Sequence, residues 1–201
     1  MSVRRAATFL SALIYWAGVY VQARRVRKEI GRSPNLKPRG PKEKLLWAGW
    51  FFVILIWLGQ PFVIDRPGFT ALVQTYKPAL TNLTLIAGLL LIGFGYGCTL
   101  WCYAAMGNTW RIGINRKEKN LLVTRGPYRR VRHPIYLFQV MMLAGVVLLL
   151  PTVMSALILL VHLVCVLIKA HDEEAYLRTV HGQEYAEYLS RTGKLLPKLV
   201  K

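Results

Sequence analysis

The sequence predicts an all-α integral membrane protein. Three observations carry this prediction: 54% of the 201 residues are hydrophobic, mean hydropathy is +0.35, and the apolar residues gather in long uncharged runs. A helix rises about 1.5 Å per residue, so roughly 20 residues cross the hydrocarbon core of a bilayer. A net charge of +18 could indicate a nucleic-acid binder, but such a protein has a polar surface. No nucleic-acid partner is predicted.

Uncharged runs define the predicted spans and cover residues 6–23, 45–64, 79–110 and 136–168. The last run is too long for one span, and Pro151 near its middle removes a backbone donor and disfavours a continuous helix. We therefore predict a single membrane domain of residues 1–201. Its five transmembrane helices are expected at 6–23, 45–64, 79–105, 136–150 and 151–168, the last two forming a short helical hairpin.

Lys and Arg are unequally distributed between the two sides of such a chain. Segments 24–44, 107–135 and 169–201 share one side and hold 23 cations, whereas the other side holds four. Short cytoplasmic loops collect positive charge. We therefore predict a multi-pass protein whose segments 107–135 and 169–201 form a cytoplasmic site and contact anionic membrane lipids. A cleaved N-terminal signal is disfavoured, because basic residues directly follow Ala23.

A cytoplasmic amphipathic helix is predicted after the last span. Between residues 169 and 189 an approximately one-sided apolar stripe is formed by Leu177, Val180, Tyr185, Tyr188 and Leu189. Asp172, Glu173 and Glu174 lie at its start. These acids are either solvated charges or part of a pocket shared with Arg132 and His133.

The start of the fourth predicted helix is the other candidate site segment. Pro134 suits the first helical position, and the unpaired N–H groups of a first turn favour an anion beside Arg132 and His133. Alternatively, this basic segment binds no ligand and only anchors the start of the helix at the cytoplasmic surface. Because the hairpin leaves the cytoplasm at Tyr136 and returns at Lys169, a composite site between the two segments is geometrically allowed.

Other polar or glycine-rich signals within the spans are interpreted structurally. The GxGxG pattern at 93–97 lies inside an apolar run, so Gly88, Gly93 and Gly97 are predicted to let helices approach closely. His162 is either a site residue or a neutral imidazole bonded to a neighbouring helix. The three cysteines predict no disulfide framework, and no metal site is predicted.

An ordered set of motifs occupies roughly residues 106–197. It comprises Gly126-Pro127-Tyr128-Arg129, Arg132-His133-Pro134-x-Tyr136, Glu173-Glu174-x-x-Leu177 and Gly182-x-Glu184-Tyr185-x-x-Tyr188. This set resembles the isoprenylcysteine carboxyl methyltransferase family and its phospholipid methyltransferase relatives. The resemblance implies a membrane enzyme that binds S-adenosylmethionine from the cytosol. It would methylate a lipid-like or prenylated acceptor. The acceptor that the resemblance favours is the carboxylate of an isoprenylcysteine-type substrate.

The resemblance also implies site residues. The cofactor would contact Asn120, Leu121, Leu122, Val123, Tyr128, His133, Pro134, Ile135, Tyr136 and Glu173. Glu173 would pair with the cofactor's amino group, and Tyr128 and Tyr136 would flank its adenosine. The predicted catalytic residues are Arg132 and Glu174.

Two departures from the family pattern concern the acceptor. Phe138 stands where the family usually has glycine, and Lys169 stands where a substrate-contacting arginine is expected. Lys169 or Arg191 would bind a carboxylate acceptor, which is ionised near neutral pH and needs no base. An amine acceptor, as in a phospholipid headgroup, would instead need a proton acceptor such as Glu174 or Asp172.

Two further alternatives remain open at this point. Membrane sterol-type reductases that use NADPH also have an Arg-His-Pro-x-Tyr block, and a non-catalytic membrane scaffold would bind neither cofactor. Binding of S-adenosylhomocysteine or of NADPH distinguishes these possibilities.

Overall fold

The computed structural model describes residues 2–34, 37–38, 40–66, 71–112 and 121–198. Within them the chain is 80% helical and has no strands, so the all-helical prediction is confirmed. The main helices are α1 (Val3–Ile30), α2 (Gly40–Val63), α3 (Asn82–Met106), α4 (Pro134–Leu149) and α5 (Val153–Arg191). Short 3-10 turns lie at Ala71–Val73, Lys77–Ala79, Gly107–Thr109 and Gly126–Arg129.

Among the described residues, four helices are long and apolar enough to cross a membrane, namely α1, α2, α3 and α5, whereas α4 is a shorter apolar helix. The helix break predicted at Pro151 is present, because α4 ends at Leu149 and α5 begins at Val153. The Thr152 hydroxyl accepts a hydrogen bond from the Ser155 amide at 2.9 Å and so caps the start of α5.

The predicted C-terminal amphipathic helix is not a separate element. Instead, α5 continues from the apolar residues 153–168 through Lys169 to Arg191, and non-helical backbone occurs within it only at Gly182, where φ is 50°. Alanine, glutamate and leucine after residue 169 favour helix, whereas glycine tolerates positive φ. The acids at 172–174 are therefore held on a rigid extension of the apolar helix.

Contacts between chain segments define one end of the bundle. Arg5 forms an ion pair with Asp65 at 3.0 Å, and the Tyr76 amide donates to the carbonyl of Pro151 at 2.9 Å. Arg4 donates to the carbonyl of Leu148 at 3.0 Å. The start of α1, the end of α4 and the segment between α2 and α3 therefore lie together.

The three positively charged segments meet at the opposite end. Lys42 pairs with Asp172 at 2.6 Å, and the Ile112 amide donates to the carbonyl of Pro34 at 3.2 Å. The His133 amide donates to the carbonyl of Lys194 at 3.0 Å. The counts of Lys and Arg therefore correctly predicted that these three segments lie at the same end of the bundle.

Helices α3 and α4 pack with their backbones in close contact. A Cβ added to Gly88 would lie 2.9 Å from the carbonyl oxygen of Gly145, and one added to Gly145 would lie 2.7 Å from that of Gly88. A Cβ added to Gly95 would likewise lie 2.8 Å from the carbonyl oxygen of Phe138. These glycines permit the close approach expected for Gly88.

The prediction that Gly93 and Gly97 also let helices approach closely is wrong. A Cβ at either position would meet no atom within 4 Å in the part of the chain that the structure describes. An apolar run that is hydrophobic on all sides does not reveal which helix face contacts protein, so Gly95 could not be distinguished from its neighbours.

Replacing Gly145 by alanine should lower the melting temperature of the detergent-solubilised protein by about 2–12 °C. Overpacking costs about 1–3 kcal/mol, and 1 kcal/mol corresponds to about 2–4 °C for a chain of this size. Gly93→Ala is the matched control, because its Cβ has free space and alanine favours helix. Equal melting temperatures for the two variants would contradict the close packing of α3 and α4.

Candidate functional site

The end of the chain folds back on the segment before α4. The amide of Gly193 donates to the carbonyl of Arg130 at 3.1 Å, and the amide of Arg132 donates to the carbonyl of Gly193 at 2.9 Å. Together with the bond from His133 to Lys194, these contacts form a short parallel bridge outside any strand. The backbone on both sides of the site is therefore fixed by residues far apart in sequence.

Two local features support this arrangement. The Tyr188 hydroxyl on α5 donates to the carbonyl of Tyr128 at 2.6 Å, which anchors the turn Gly126–Arg129. A Cβ at Gly193 would overlap the carbonyl oxygen of Leu196, so a larger residue does not fit the returning chain.

Glu174 is the centre of a buried ionic cluster. Arg132 Nε donates to Glu174 Oε1 at 2.8 Å, His133 Nε2 lies 3.3 Å from the same oxygen, and Lys194 Nζ lies 3.5 Å from Oε2. The Glu174 side chain is 9% exposed. Burial by itself raises the pKa of this carboxyl, but the hydrogen bonds and charges of His133 and Arg132 lower it to about 2. Glu174 is thus a stable carboxylate and a weak proton acceptor.

Glu173 faces a different direction and is partly accessible. The Tyr136 hydroxyl donates to Glu173 Oε1 at 2.8 Å, and His133 Nδ1 lies 3.4 Å from Oε2. The rings of His133 and Tyr136 stack, with centroids 5.6 Å apart. A carboxylate accepts up to about four hydrogen bonds, so Glu173 retains capacity for a further donor.

His133 links the two carboxylates. Both ring nitrogens lie near a carboxylate oxygen, an arrangement that requires two donors and therefore the imidazolium form. Burial lowers the pKa of His133, but the hydrogen bonds and charges of Glu173 and Glu174 outweigh it and raise the pKa above 6.5. His133 therefore orients Glu173 and neutralises part of the acidic charge.

A cavity of about 630 Å³ begins at this cluster. At its polar end it is lined by Leu121, Leu122, Val123, Tyr128, Arg132, His133, Ile135, Tyr136, Lys169 and Glu173. Small-molecule sites commonly have volumes of about 300–1,000 Å³ and a few convergent polar groups. The polar end has these properties.

The cavity continues between the apolar helices into what we call the aromatic chamber. Its wall is formed by Tyr15, Trp16, Val19, Tyr20, Trp47, Trp50, Phe51, Trp57, Tyr103, Gln139, Leu143 and His162. Sequence reasoning missed this chamber because α1 and α2 carry no recognised motif. The available signal was the concentration of tryptophan, since four of the six lie in these two helices.

Lys169 is a buried cation in the wall of the polar end. Its side chain lines the cavity, and the residue is only 5% exposed. Among the described residues no acidic side chain lies within ion-pair distance of it, in contrast to the paired cations Arg132 and Lys194. A buried cation without a counter-ion is costly and marks a site for an anion.

Only some of the site residues predicted from the sequence lie together in the wall of the cavity. Pro134 begins α4 and is buried, but neither it nor Glu174 forms the cavity wall. Arg191 is exposed at the end of α5 and also lies outside the wall, so Lys169 is the only one of the two predicted substrate cations that lines it. Asn120 lies outside the described residues. Lys194, which contacts Glu174, was not recognised from the sequence.

The arrangement offers complementary charges for an amino acid. Glu173 can accept from an ammonium group, while the first turn of α4 presents N–H groups that favour a carboxylate. The cavity joins this polar end to an apolar chamber, so a polar molecule and a lipid-like molecule can meet within it.

Comparison with known proteins agrees with these features. A family model described as phospholipid methyltransferase matches residues 83–184, just over half of the chain. This family lies in the same group as the isoprenylcysteine carboxyl methyltransferases. The matched region includes α4 and the part of α5 that carries Lys169, Glu173 and Glu174. The search of curated proteins gave no match.

Proposed function

The chain belongs to the phospholipid methyltransferase family, and from this premise we propose that it transfers a methyl group from S-adenosylmethionine to a lipid-borne carboxylate in the membrane. The family resemblance of the sequence suggests an isoprenylcysteine as one such acceptor. Lys169 is buried, lines the cavity and has no acidic partner among the residues that the structure describes, and this observation carries the choice of an anionic acceptor group.

Methyltransferases of this family generally use S-adenosylmethionine, and the polar end of the cavity fits it. Glu173 would bind the amino group, and His133 and Tyr136 hold that carboxylate in position. Tyr128 and the segment 121–123 would contact the adenosine. When bound, S-adenosylmethionine supplies a methyl group on a sulfonium, which a carboxylate oxygen accepts without losing a proton.

Lys169 would bind the acceptor carboxylate, and the aromatic chamber would hold its hydrocarbon part and exclude water. Lys169 lies four residues before Glu173 on α5, about 6 Å along the helix axis. This spacing supports the proposal, because an acceptor bound by Lys169 would have its charged group beside the cofactor's end of the cavity. Positioning and desolvation then account for most of the catalysis, because no proton transfer is needed.

The available acids argue against an amine acceptor. Glu174 is bound by Arg132, His133 and Lys194, and Asp172 is paired with Lys42. A carboxylate held at a pKa of about 2 is a poor proton acceptor near neutral pH. The predicted catalytic base role of Glu174 is therefore replaced in this proposal by a positioning role for Glu174 and Arg132.

The second candidate is N-methylation of a phospholipid amine, which the description of the matching family favours. In that case Lys169 would pair with the headgroup phosphate, and the ammonium group would have to lose its proton to water or to Glu173. Both candidates use the same cofactor site and differ in the atom that is methylated.

The proposed topology has five membrane spans. The four long apolar helices and the shorter α4 would all cross the bilayer, with α4 and α5 forming the hairpin. The bundle end that carries the three basic segments would face the cytoplasm, since positive charge collects there. The cofactor site would then be reached from the cytosol and the chamber from the membrane.

Lys169→Met should lower kcat/KM for a carboxylate acceptor at least tenfold and leave the affinity for S-adenosylhomocysteine unchanged. Methyl transfer from radiolabelled S-adenosylmethionine is measured with N-acetyl-S-farnesylcysteine and, separately, with phosphatidylethanolamine vesicles. Base-labile methyl ester is the expected product. Lys44→Met, an exposed cation at the same end of the bundle, is the matched control.

Three results would contradict the proposal. Stable N-methyl product without methyl ester would establish the amine acceptor. An unchanged kcat/KM in Lys169→Met would remove the lysine from acceptor binding. Binding of NADPH without binding of S-adenosylhomocysteine would support the reductase alternative.

A further inference from the structure

Another cavity lies between α1 and α3 on the outside of the bundle, and we call it the outer groove. Its volume is about 440 Å³. On α1 it is lined by side chains that recur every three or four residues between Ile14 and Arg25, and on α3 by side chains between Tyr96 and Ala104. This spacing follows one face of each helix, so the groove runs along the helix axes for roughly 16 Å.

Small residues form much of this recess. Ala17 and Ala104 line the groove and are exposed, so neither helix fills the space between them. Gly18 makes room for the ring of Tyr96, whose hydroxyl oxygen would lie 2.6 Å from a Cβ at residue 18. The groove is therefore a long, mainly apolar recess between two helices that are apolar enough to cross a membrane.

Gln22 is a polar exception in this apolar wall. The residue is 8% exposed, and its side-chain amide forms no hydrogen bond within the ranges that the structure describes. The amide is not among the fully buried, unpartnered atoms of those ranges, so it remains accessible from the groove that it lines. An amide in apolar surroundings is costly without a hydrogen bond, so Gln22 marks a position for a polar group of a ligand.

Arg25 lies almost one helical turn beyond Gln22, at the basic end of the groove. Its Nε donates to Glu29 at 3.2 Å, and a guanidinium has five N–H donors, so further donors remain for an anion. Residues 24–28 hold four cations and no acid. This end of the groove is thus suited to a phosphate at the surface of a membrane.

We propose that the outer groove binds one anionic glycerophospholipid, with its phosphate at Arg25, an ester carbonyl at Gln22 and an acyl chain along the apolar remainder. The three residues from Arg25 to Gln22 span about 4.5 Å along the axis, and the headgroup region of one leaflet is about 5–7 Å thick. The order of cation, amide and apolar wall along α1 therefore matches the order of groups in such a lipid.

This lipid is distinct from the methyl acceptor. Tyr103 lines both the outer groove and the aromatic chamber and is only 5% exposed, so its side chain separates the two cavities. The inference goes beyond the proposed function and requires only that α1 and α3 lie in a membrane. Its test uses no methyl donor, so its failure would leave the proposed function unaffected.

Native mass spectrometry of the full chain in nonionic detergent measures the affinity for the first bound lipid. Dioleoylphosphatidylglycerol should bind roughly fivefold more tightly than dioleoylphosphatidylcholine, because the basic end favours a net negative headgroup. Glycerol 3-phosphate carries the anion without acyl chains and should not displace the lipid. Arg25→Gln should weaken binding of phosphatidylglycerol roughly tenfold. The matched control Arg27→Gln removes an exposed cation of α1 outside the groove and should change the affinity less than twofold.

Ala17→Leu tests the groove without changing any charge. The position is exposed, so the variant should fold, and the larger side chain should occupy the recess and weaken binding of phosphatidylglycerol by a similar factor. Equal losses in Arg25→Gln and Arg27→Gln, or displacement of the lipid by glycerol 3-phosphate, would indicate diffuse attraction to the basic surface and overturn the inference. An unchanged affinity in Ala17→Leu would also overturn it, and a simultaneous change from dimer to monomer would assign the groove to a second copy of the chain.

Discussion

Glu173→Gln should weaken binding of S-adenosylhomocysteine by one to two orders of magnitude while the protein stays folded. The amide keeps the shape of the carboxylate and can still accept from the Tyr136 hydroxyl, but it cannot attract the ligand's ammonium group by charge. A hydrogen bond to a charged group contributes about 1.5–3 kcal/mol, and 1.4 kcal/mol corresponds to a factor of ten in affinity. Isothermal titration calorimetry of the purified protein measures this change.

The matched control for this variant is Glu187→Gln, which removes an exposed carboxylate from the same helix. Its affinity should equal that of the wild type. His133→Ala should also weaken binding, because His133 orients Glu173. Unchanged affinity in both Glu173→Gln and His133→Ala, with folded protein, would remove these residues from the cofactor site.

Glu174→Gln should lower the free energy of unfolding by about 3–5 kcal/mol, which corresponds to a melting temperature lower by roughly 6–20 °C. The substitution leaves Arg132, Lys194 and the protonated His133 buried close together without the carboxylate that they contact. Breaking a buried ionic cluster by removing one member is costly because the remaining charges stay desolvated. Thermal unfolding followed by circular dichroism in detergent measures the effect, again with Glu187→Gln as control.

This prediction also distinguishes two roles for Glu174. The sequence interpretation made it a candidate proton acceptor, in which case Glu174→Gln would keep the wild-type melting temperature and lose kcat. The buried contacts favour a stabilising role, in which case the melting temperature falls. A stable but inactive variant would restore the catalytic interpretation.

The local chemistry of the sequence determined the helices and their grouping. Uniformly apolar runs are long enough to be membrane helices, and Pro151 cannot donate a backbone hydrogen bond, so the break between α4 and α5 was predictable. The distribution of Lys and Arg assigned the three polar segments to one end, where the structure also places them. The motif residues Tyr128, His133, Tyr136 and Glu173 indeed line one cavity.

The tertiary structure alone decided how these helices face one another and which groups pair. Apolar runs have no polar face, so the sequence could not distinguish Gly95 from Gly93 or show that α1 and α2 supply the wall of the aromatic chamber. The backbone pairing of residues 130–133 with 193–194 joins segments about sixty residues apart, and periodicity carries no information about such contacts. This long-range packing surrounds Glu174 with cations and, within the described ranges, leaves Lys169 at the cavity without an acidic partner.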